Sequence, residues 1–170
     1  MKLFSGTYGN PATAIIPLGK MLPGGRDNWF GGIFASDSED VARSHGDVMQ
    51  VFEVDDEQVL RHNDLRHELL YSGAAISVLR AVLKDVFRRE FSEEAMFDLA
   101  EFVAGDKSLF QDDFVDGNDA LISVLGAYDE GTADWCLQGI SGEVARRMGY
   151  AAVEMPDEHG ASYLVLTLAA

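Results

Sequence analysis

The first 55 residues alternate short apolar runs with segments rich in Gly and Pro, which is typical of β-strands joined by loops. The runs Leu3–Tyr8, Gly31–Ala35 and Val48–Val54 each predict a strand. The first two runs are separated by a predicted loop that contains Pro11, Pro17 and Pro23. This part of the chain is therefore expected to be mainly β-structure.

A short helix is predicted between the second and third strands. Ser36 and Glu39 have the spacing of a capping box, in which each side chain accepts a hydrogen bond from the other residue's backbone N–H. The helix is expected to cover about Asp37–Ser44, and Gly46 can end it.

The region 57–148 has helical periodicity instead. Apolar residues recur three or four positions apart in three stretches, and the second follows Ser92, a residue type that caps helices. An acidic segment, Asp106–Gly117, is expected to be a loop within this region. Cations and a glycine close the third stretch, as at a helix C-terminus. The three stretches contain Ile76, Leu79, Leu83 and Val86; Met96, Leu99 and Val103; and Leu137, Ile140, Val144 and Met148, followed by Arg146, Arg147 and Gly149.

β-character returns at the end of the chain, where Tyr150–Met155 and Tyr163–Leu168 flank the polar turn residues Pro156–Gly160. Two strands joined by this turn are expected. The order β-rich, then helical, then β predicts one α+β domain over residues 1–170, with 57–130 as a helical insertion.

The net charge of the chain limits the kinds of partner that we expect it to bind. Thirteen Lys and Arg oppose 29 Asp and Glu, which gives a net charge of −16 at pH 7. Such a chain repels nucleic acid, so direct binding to DNA or RNA is not expected. Two interpretations stay open: the charge keeps the protein in solution, or it attracts a basic protein partner.

Other classes of protein and site are not expected either. There is no signal-peptide pattern and no apolar run near the roughly 18 to 20 residues that span a bilayer, so a cytoplasmic protein is expected. Cys136 lies in an apolar stretch and is predicted to be buried rather than a nucleophile. His62 and His67 are five residues apart and would face different sides of a helix, so no metal site is expected.

Three segments carry a resemblance to a known family. They are Phe4-Ser5-Gly6-Thr7 in the first strand, Gly31–Ser36 with His45 eleven residues beyond Phe34, and the C-terminal strand pair. Together they resemble the ADP-ribosyltransferase fold shared by diphtheria toxin and the poly-ADP-ribose polymerases. The resemblance implies a split β-sheet core that binds NAD as the ADP-ribose donor.

One branch of this family is especially similar, namely the anti-CRISPR ADP-ribosyltransferases that act against type I-F systems. The resemblance covers residues 1–55 and 130–168, whereas 57–130 show none. The segments that carry it are Phe4-x-Gly6-x-Tyr8, Phe30–Phe34, Ser44-His45-Gly46, Gly149-Tyr150 and Val153–Gly160.

The resemblance assigns roles in holding NAD. Phe34 and His45 stack on the nicotinamide ring, Gly6 and Thr7 contact its amide, and Ser5 lies toward the adenosine. From the residues alone, a Phe in an apolar segment such as Phe34 is more often a core residue. A His before Gly, such as His45, is more often a cation at a helix end. The full set of implied NAD-binding residues is Phe4, Ser5, Gly6, Thr7, Gly32, Phe34, Ser36 and His45.

The catalytic carboxylate is implied at Asp157, with Glu158 as the alternative. The wider family carries a Glu just before the aromatic residue that opens the last strand, and that position is Ser162 here. In the anti-CRISPR branch the carboxylate lies in the preceding turn instead. A carboxylate near the ribose stabilises the positive charge that develops as nicotinamide leaves.

The implied function is NAD-dependent mono-ADP-ribosylation of a basic protein by a phage protein in the host bacterial cytoplasm. The expected target is a subunit of a CRISPR surveillance complex, and the expected outcome is loss of target-DNA recognition. Two alternatives stay open: a non-enzymatic acidic mimic of DNA, and an ADP-ribosylating toxin with another target. A mimic needs no NAD, and its inhibition weakens as salt rises.

Overall fold

The computed structural model describes residues 1–16, 18, 21–22, 26–27, 30–88, 90–109, 122, 125–127, 129–157 and 160–168, with the backbone alone at 21–22, 26–27, 157 and 160–161. A six-stranded sheet with accompanying helices gives an α+β fold, as predicted. The strands are β1 (Lys2–Thr7), β2 (Met21–Leu22), β3 (Arg26–Asp27), β4 (Ile33–Ser36), β5 (Val48–Glu53), β6 (Val59–Leu60), β7 (Ala152–Asp157) and β8 (Gly160–Val165). The helices are α1 (Glu39–Ser44), α2 (His62–Leu70), α3 (Ala74–Phe87), α4 (Glu93–Val103) and α5 (Glu130–Arg147).

The main sheet is split between two of its strands. Its strand order is β5-β1-β4-β8-β7-β6, while β2 and β3 form a separate antiparallel pair. β1 pairs with β5 at every position, but with β4 at Phe4↔Ser36 alone. Beyond that pair β1 and β4 are no longer hydrogen-bonded neighbours, so the sheet opens there. β4, β8 and β7 continue as antiparallel neighbours, and β6 lies parallel to β7.

The helix that follows β4 begins later than the capping box predicts. Ser38 is its N-cap, and the Ser38 hydroxyl accepts a hydrogen bond from the backbone N of Val41 at 3.4 Å. The prediction of Ser36 as the cap is wrong, because Ser36 still belongs to β4 and pairs with Ser162. Its hydroxyl instead accepts from the backbone N of Ser38 at 3.0 Å.

The helices α2 to α5 share one hydrophobic core against a face of the sheet. Leu69, Leu83, Leu99 and Ile140, one from each helix, are buried together with Leu164 of β8. The three stretches of helical periodicity are confirmed as α3, α4 and α5, and Ser92 caps α4 as predicted. A smaller cluster on the other face includes Leu3, Phe52, Tyr163 and Val165.

The region 57–130 contributes to the sheet as well as to the helical layer. Its strand β6 pairs with β7 through Val59↔Ala152 and Leu60↔Val153. The sequence did not predict β6, because two residues show no alternation and the partner strand lies far along the chain. The predicted loop Asp106–Gly117 is described as far as Leu109, and the rest lies outside the described residues. No described helix is long and apolar enough to cross a membrane.

The buried carboxylate of Glu143 pairs with two arginines of its own helix, α5, and one of these arginines also pairs with α3. Glu143 accepts hydrogen bonds from Arg146 at 2.6 and 2.8 Å and from Arg147 at 2.8 Å. Arg147 also donates to Asp85 of α3 at 2.7 Å. Burial alone would raise the pKa of Glu143, but the hydrogen bonds from the two arginines outweigh it and hold that pKa below its usual value.

Candidate active site

A cleft of about 640 Å³ lies where the sheet splits, between the second half of β1 and strand β4. Helix α1 closes one side of it, and β5 and β8 contribute further wall residues. Seven residues that the sequence analysis assigned to NAD binding line this cleft: Phe4, Ser5, Gly6, Thr7, Phe34, Ser36 and His45. They come from β1, β4 and the end of α1, so the split is what brings them together.

Close packing between β1 and α1 forms one wall of the cleft. A Cβ at Gly6 would overlap the carbonyl oxygen of Ala42 in α1. A Cβ at Gly46, just past the end of α1, would overlap the backbone of Thr7 in return. Both positions therefore require glycine for helix–strand packing.

Aromatic side chains extend from the cleft toward the surface. Phe34 packs edge-on against Phe30, with ring centroids 4.6 Å apart and planes at 87°. Phe30 in turn lies 6.0 Å from Trp135, which is half exposed on α5. Phe34 also packs against the helical core, so it contributes both to the core and to the cleft wall.

His45 likewise combines the two roles that its sequence position suggests. It is the C-cap of α1, and its backbone N donates to the carbonyl oxygen of Ala42 at 3.1 Å. Its side chain is exposed and lines the cleft.

The sequence analysis missed two polar residues of the cleft, Gln50 and Asn10. Gln50 lies directly opposite Ser5 in the β1–β5 register. Its side-chain amide donates to the carbonyl oxygen of Ala12 at 3.0 Å, which ties the segment after β1 to the sheet. Only the pairing register of β1 with β5 could have indicated Gln50, because it has no motif of its own.

Gly32 does not line the cleft. A Cβ at this position would lie 2.7 Å from the side chain of Leu164 and 2.8 Å from the carbonyl oxygen of Val165. The structure therefore gives Gly32 a packing role, in which the chain entering β4 approaches β8 closely.

Of the two candidate carboxylates, the structure describes only the backbone of Asp157. Asp157 is the last residue of β7 and pairs with Gly160, while Glu158 lies outside the described residues. Two positions along β8, Ser162 pairs with Ser36 on one side and with Met155 on the other. Ser162 lines the cleft at the position where the wider family has its glutamate.

The described histidines and Cys136 form no candidate metal centre. Cys136 is fully buried, as predicted, and this burial raises the pKa of its thiol to about 12. His67 stacks against Tyr71, with ring centroids 5.8 Å apart. Across the described part of the chain, no group of three or more His, Cys, Asp or Glu residues could hold a metal ion.

Comparison with known proteins decides the family. The model of the family described as "Anti-CRISPR Type I-F ADP-ribosyltransferase AcrIF11" matches residues 1–169. The chain belongs to this family. A solved structure described as "Crystal structure of an anti-CRISPR protein" is similar at a TM-score of 0.54 and 25% identity, over 98% of this chain and 89% of that chain. Among the curated proteins, none matches.

Membership in the AcrIF11 family makes the chain an ADP-ribosyltransferase with an anti-CRISPR role. The family's reaction implies NAD as the donor substrate. The matched span also includes 57–130, for which the motifs gave no resemblance.

Proposed function

We propose that the chain binds NAD in the cleft between β1 and β4 and transfers one ADP-ribosyl group to a subunit of a CRISPR surveillance complex, which then fails to recognise target DNA. The observation that carries the proposal is the split of the sheet after Phe4↔Ser36. Seven of the eight residues that the sequence resemblance assigns to NAD binding line the cavity formed by this split.

The cleft suits NAD in size and in chemistry. Its volume of about 640 Å³ falls within the roughly 300 to 1,000 Å³ typical of small-molecule and cofactor sites. The rings of Phe34 and His45 are flat surfaces for stacking a nicotinamide, and the backbone of Gly6 and Thr7 offers partners for its amide. Ser5 and Gln50, opposite each other on β1 and β5, supply polar groups further along the cleft.

The chemistry begins with the bond between nicotinamide and the ribose. This C–N bond breaks, its electron pair leaves with nicotinamide, and positive charge develops on the ribose as in glycoside cleavage. A nucleophilic atom of the target then bonds to the same ribose carbon and releases its proton. A carboxylate beside the ribose stabilises the cation and orients the ribose hydroxyls.

Asp157 is our choice for this carboxylate. Strand alternation puts position 157 on the same face of β7 as position 155, and Met155 pairs with Ser162 of the cleft. The Asp157–Gly160 pair thus lies two register positions beyond the cleft wall, on a face shared with it. A residue at such an edge can reach a ligand without being buried unpaired.

The charge of the chain supports a basic target. With a net charge of −16, the protein attracts cationic surfaces over several ångströms and accelerates encounter with them. The same charge favours a second candidate, an acidic mimic that blocks a nucleic-acid groove without chemistry. Inhibition by such a mimic requires no NAD and weakens steeply as ionic strength rises.

Asp157→Asn tests the assignment, with Glu158→Gln as the matched control. Because the carboxylate acts mainly in the transition state, we expect Asp157→Asn to lower NAD-dependent transfer by about 100-fold or more, with a much smaller change in NAD affinity. Glu158→Gln should retain transfer. The reverse result moves the catalytic role to Glu158. If both variants keep near-normal transfer while Glu154→Gln loses it, the catalytic carboxylate is Glu154, in the middle of β7.

A further inference from the structure

A second cavity, of about 600 Å³, lies between the start of α2, the segment after α4, the middle of α5 and strand β7. His62, Lys107, Asp134, Gln138 and Pro156 are among its wall residues. None of the residues that line it also lines the NAD cleft. The two cavities are therefore separate, and the proposed NAD chemistry leaves this one without a role.

The β7–β8 hairpin connects the two cavities. Met155 lines the second cavity, and its register partner Ser162 lines the NAD cleft. Pro156 also lines the second cavity, and Asp157 follows it directly. β6 ends at Leu60, opposite Val153, so the described part of the sheet has no strand beside β7 beyond that point. The second cavity opens there, next to the hairpin end that carries the proposed catalytic carboxylate.

One wall carboxylate has no cationic partner among the residues that the structure describes. Asp134 is half-buried and accepts a hydrogen bond from the Gln138 amide at 2.7 Å. No Lys, Arg or His of the described residues forms an ion pair with it, and desolvation raises its pKa. Burying a carboxylate without a cation is unfavourable, so a cation that enters the cavity gains a partner there.

Two other charged side chains of the cavity wall, Glu154 and Lys107, are already engaged. Glu154 accepts from the backbone N of His62 at 3.0 Å and lies 3.9 Å from Arg61. Lys107 pairs with Asp98 at 3.4 Å and with Glu101. Asp134 is therefore the wall carboxylate that is available to a cation from outside.

We propose that this cavity, which lies beside β7, receives a guanidinium or ammonium side chain of the target protein. Asp134 binds that side chain while NAD occupies the cleft beside β8. The inference rests on the proposed function for the presence of a protein target. A carboxylate and an amide side by side match the hydrogen-bond donors of a guanidinium group. Docking at this cavity brings the target to the hairpin end, where transfer takes place.

Titration with small probes tests the cavity independently of catalysis. The full chain, isotopically labelled for NMR, is titrated with N-acetyl-arginine methylamide and, as its uncharged isostere, N-acetyl-citrulline methylamide. We expect the arginine probe alone to shift the signals of Asp134, Gln138 and Gly105, and Asp134→Asn to abolish these shifts. Asp64→Asn is the matched control, because Asp64 is exposed on α2 and does not line the cavity. Equal shifts with both probes, or shifts confined to other residues, overturn the proposal.

Kinetics with a purified type I-F surveillance complex test the link to the target. For Asp134→Asn we expect the ratio of transfer to NAD hydrolysis to fall at least about tenfold, through a higher KM for the complex, as loss of one charge-assisted contact typically gives. Asp64→Asn should leave this ratio unchanged. An unchanged ratio in Asp134→Asn contradicts the proposal.

Two controls show whether the Asp134→Asn variant is folded and whether the proposed NAD-dependent function itself has failed. Asp134→Asn should melt at or above the temperature of the unaltered protein, because it removes a half-buried carboxylate that lacks a cation. If the unaltered protein cleaves no NAD, the proposed function fails. The arginine titration still decides whether the cavity binds a cationic side chain.

Discussion

Gly6→Ala is the substitution for which the structure gives the sharpest expectation. The added methyl group would overlap the carbonyl oxygen of Ala42 and lie 3.0 Å from that of Gly46. Both atoms are backbone, so no side chain can rotate away and α1 must shift as a unit. Gly46, just past the end of α1, packs against the backbone of Thr7 in β1, and this second close contact limits the shift of α1.

The expected cost follows from this geometry. Overpacking of an interior typically costs about 1 to 3 kcal/mol, and a backbone neighbour puts Gly6→Ala near about 3 kcal/mol. For a chain of this length, each kcal/mol lowers the melting temperature by about 2 to 4 °C, so we expect a decrease of about 6 to 12 °C. The shift of α1 also displaces His45, so NAD hydrolysis should fall further than the loss of folded protein explains.

Gly9→Ala is the matched control. Among the described residues, a Cβ at Gly9 would have only the Thr7 hydroxyl near it, at 3.9 Å, which is an ordinary contact. Its stability should stay within about 0.5 kcal/mol of the unaltered protein. Thermal unfolding followed by circular dichroism, with NAD hydrolysis on the same samples, compares the two variants. Equal melting temperatures for Gly6→Ala and Gly9→Ala would refute the packing argument.

Three further outcomes are expected. Glu143→Gln should destabilise the chain by about 2 kcal/mol near neutral pH. The pKa of Glu143 is lowered in the folded state. The loss of stability in the variant is therefore complete above the usual pKa of 4.5 and becomes smaller as the pH falls below it. Urea unfolding at several pH values measures this dependence. Phe34→Leu should keep the contact with the helical core yet raise the KM for NAD, and an unchanged KM means that the ring does not stack. NAD should raise the melting temperature more than NADP does. The additional phosphate of NADP needs a cation, and Arg43, near the cleft, is already paired with Glu39. Equal shifts contradict this.

Strong local patterns predicted most of the fold. β1, β5, α3, α4 and α5 have enough residues for a clear period, and the structure confirms each near its expected position. The errors arise where local signals compete or where distant partners decide. Ser36 and Ser38 are both capping residue types, and only the pairing of Ser36 with β8 shows that Ser38 is the cap. β6 is too short for a period and depends on β7.

The same distinction applies to the site. The motifs selected residues on β1, β4 and α1 because these positions carry recognisable residue types. Their convergence on one cleft depends on the register Phe4↔Ser36, which no local pattern specifies. Gln50 reaches the cleft only through its pairing with Ser5, so it had no signal of its own. Gly32 belongs to a motif but takes a packing position against Leu164.

The central claim is that NAD bound at the split sheet donates ADP-ribose to a surveillance-complex protein. The most direct measurement is the intact mass of each subunit of a purified type I-F complex after incubation with the protein, with and without NAD. We expect one subunit to gain the mass of a single ADP-ribosyl group only when NAD is present, and to gain none with Asp157→Asn. A complex that is inhibited without any gain in mass, and that recovers as salt is raised, would contradict the account and favour the acidic mimic.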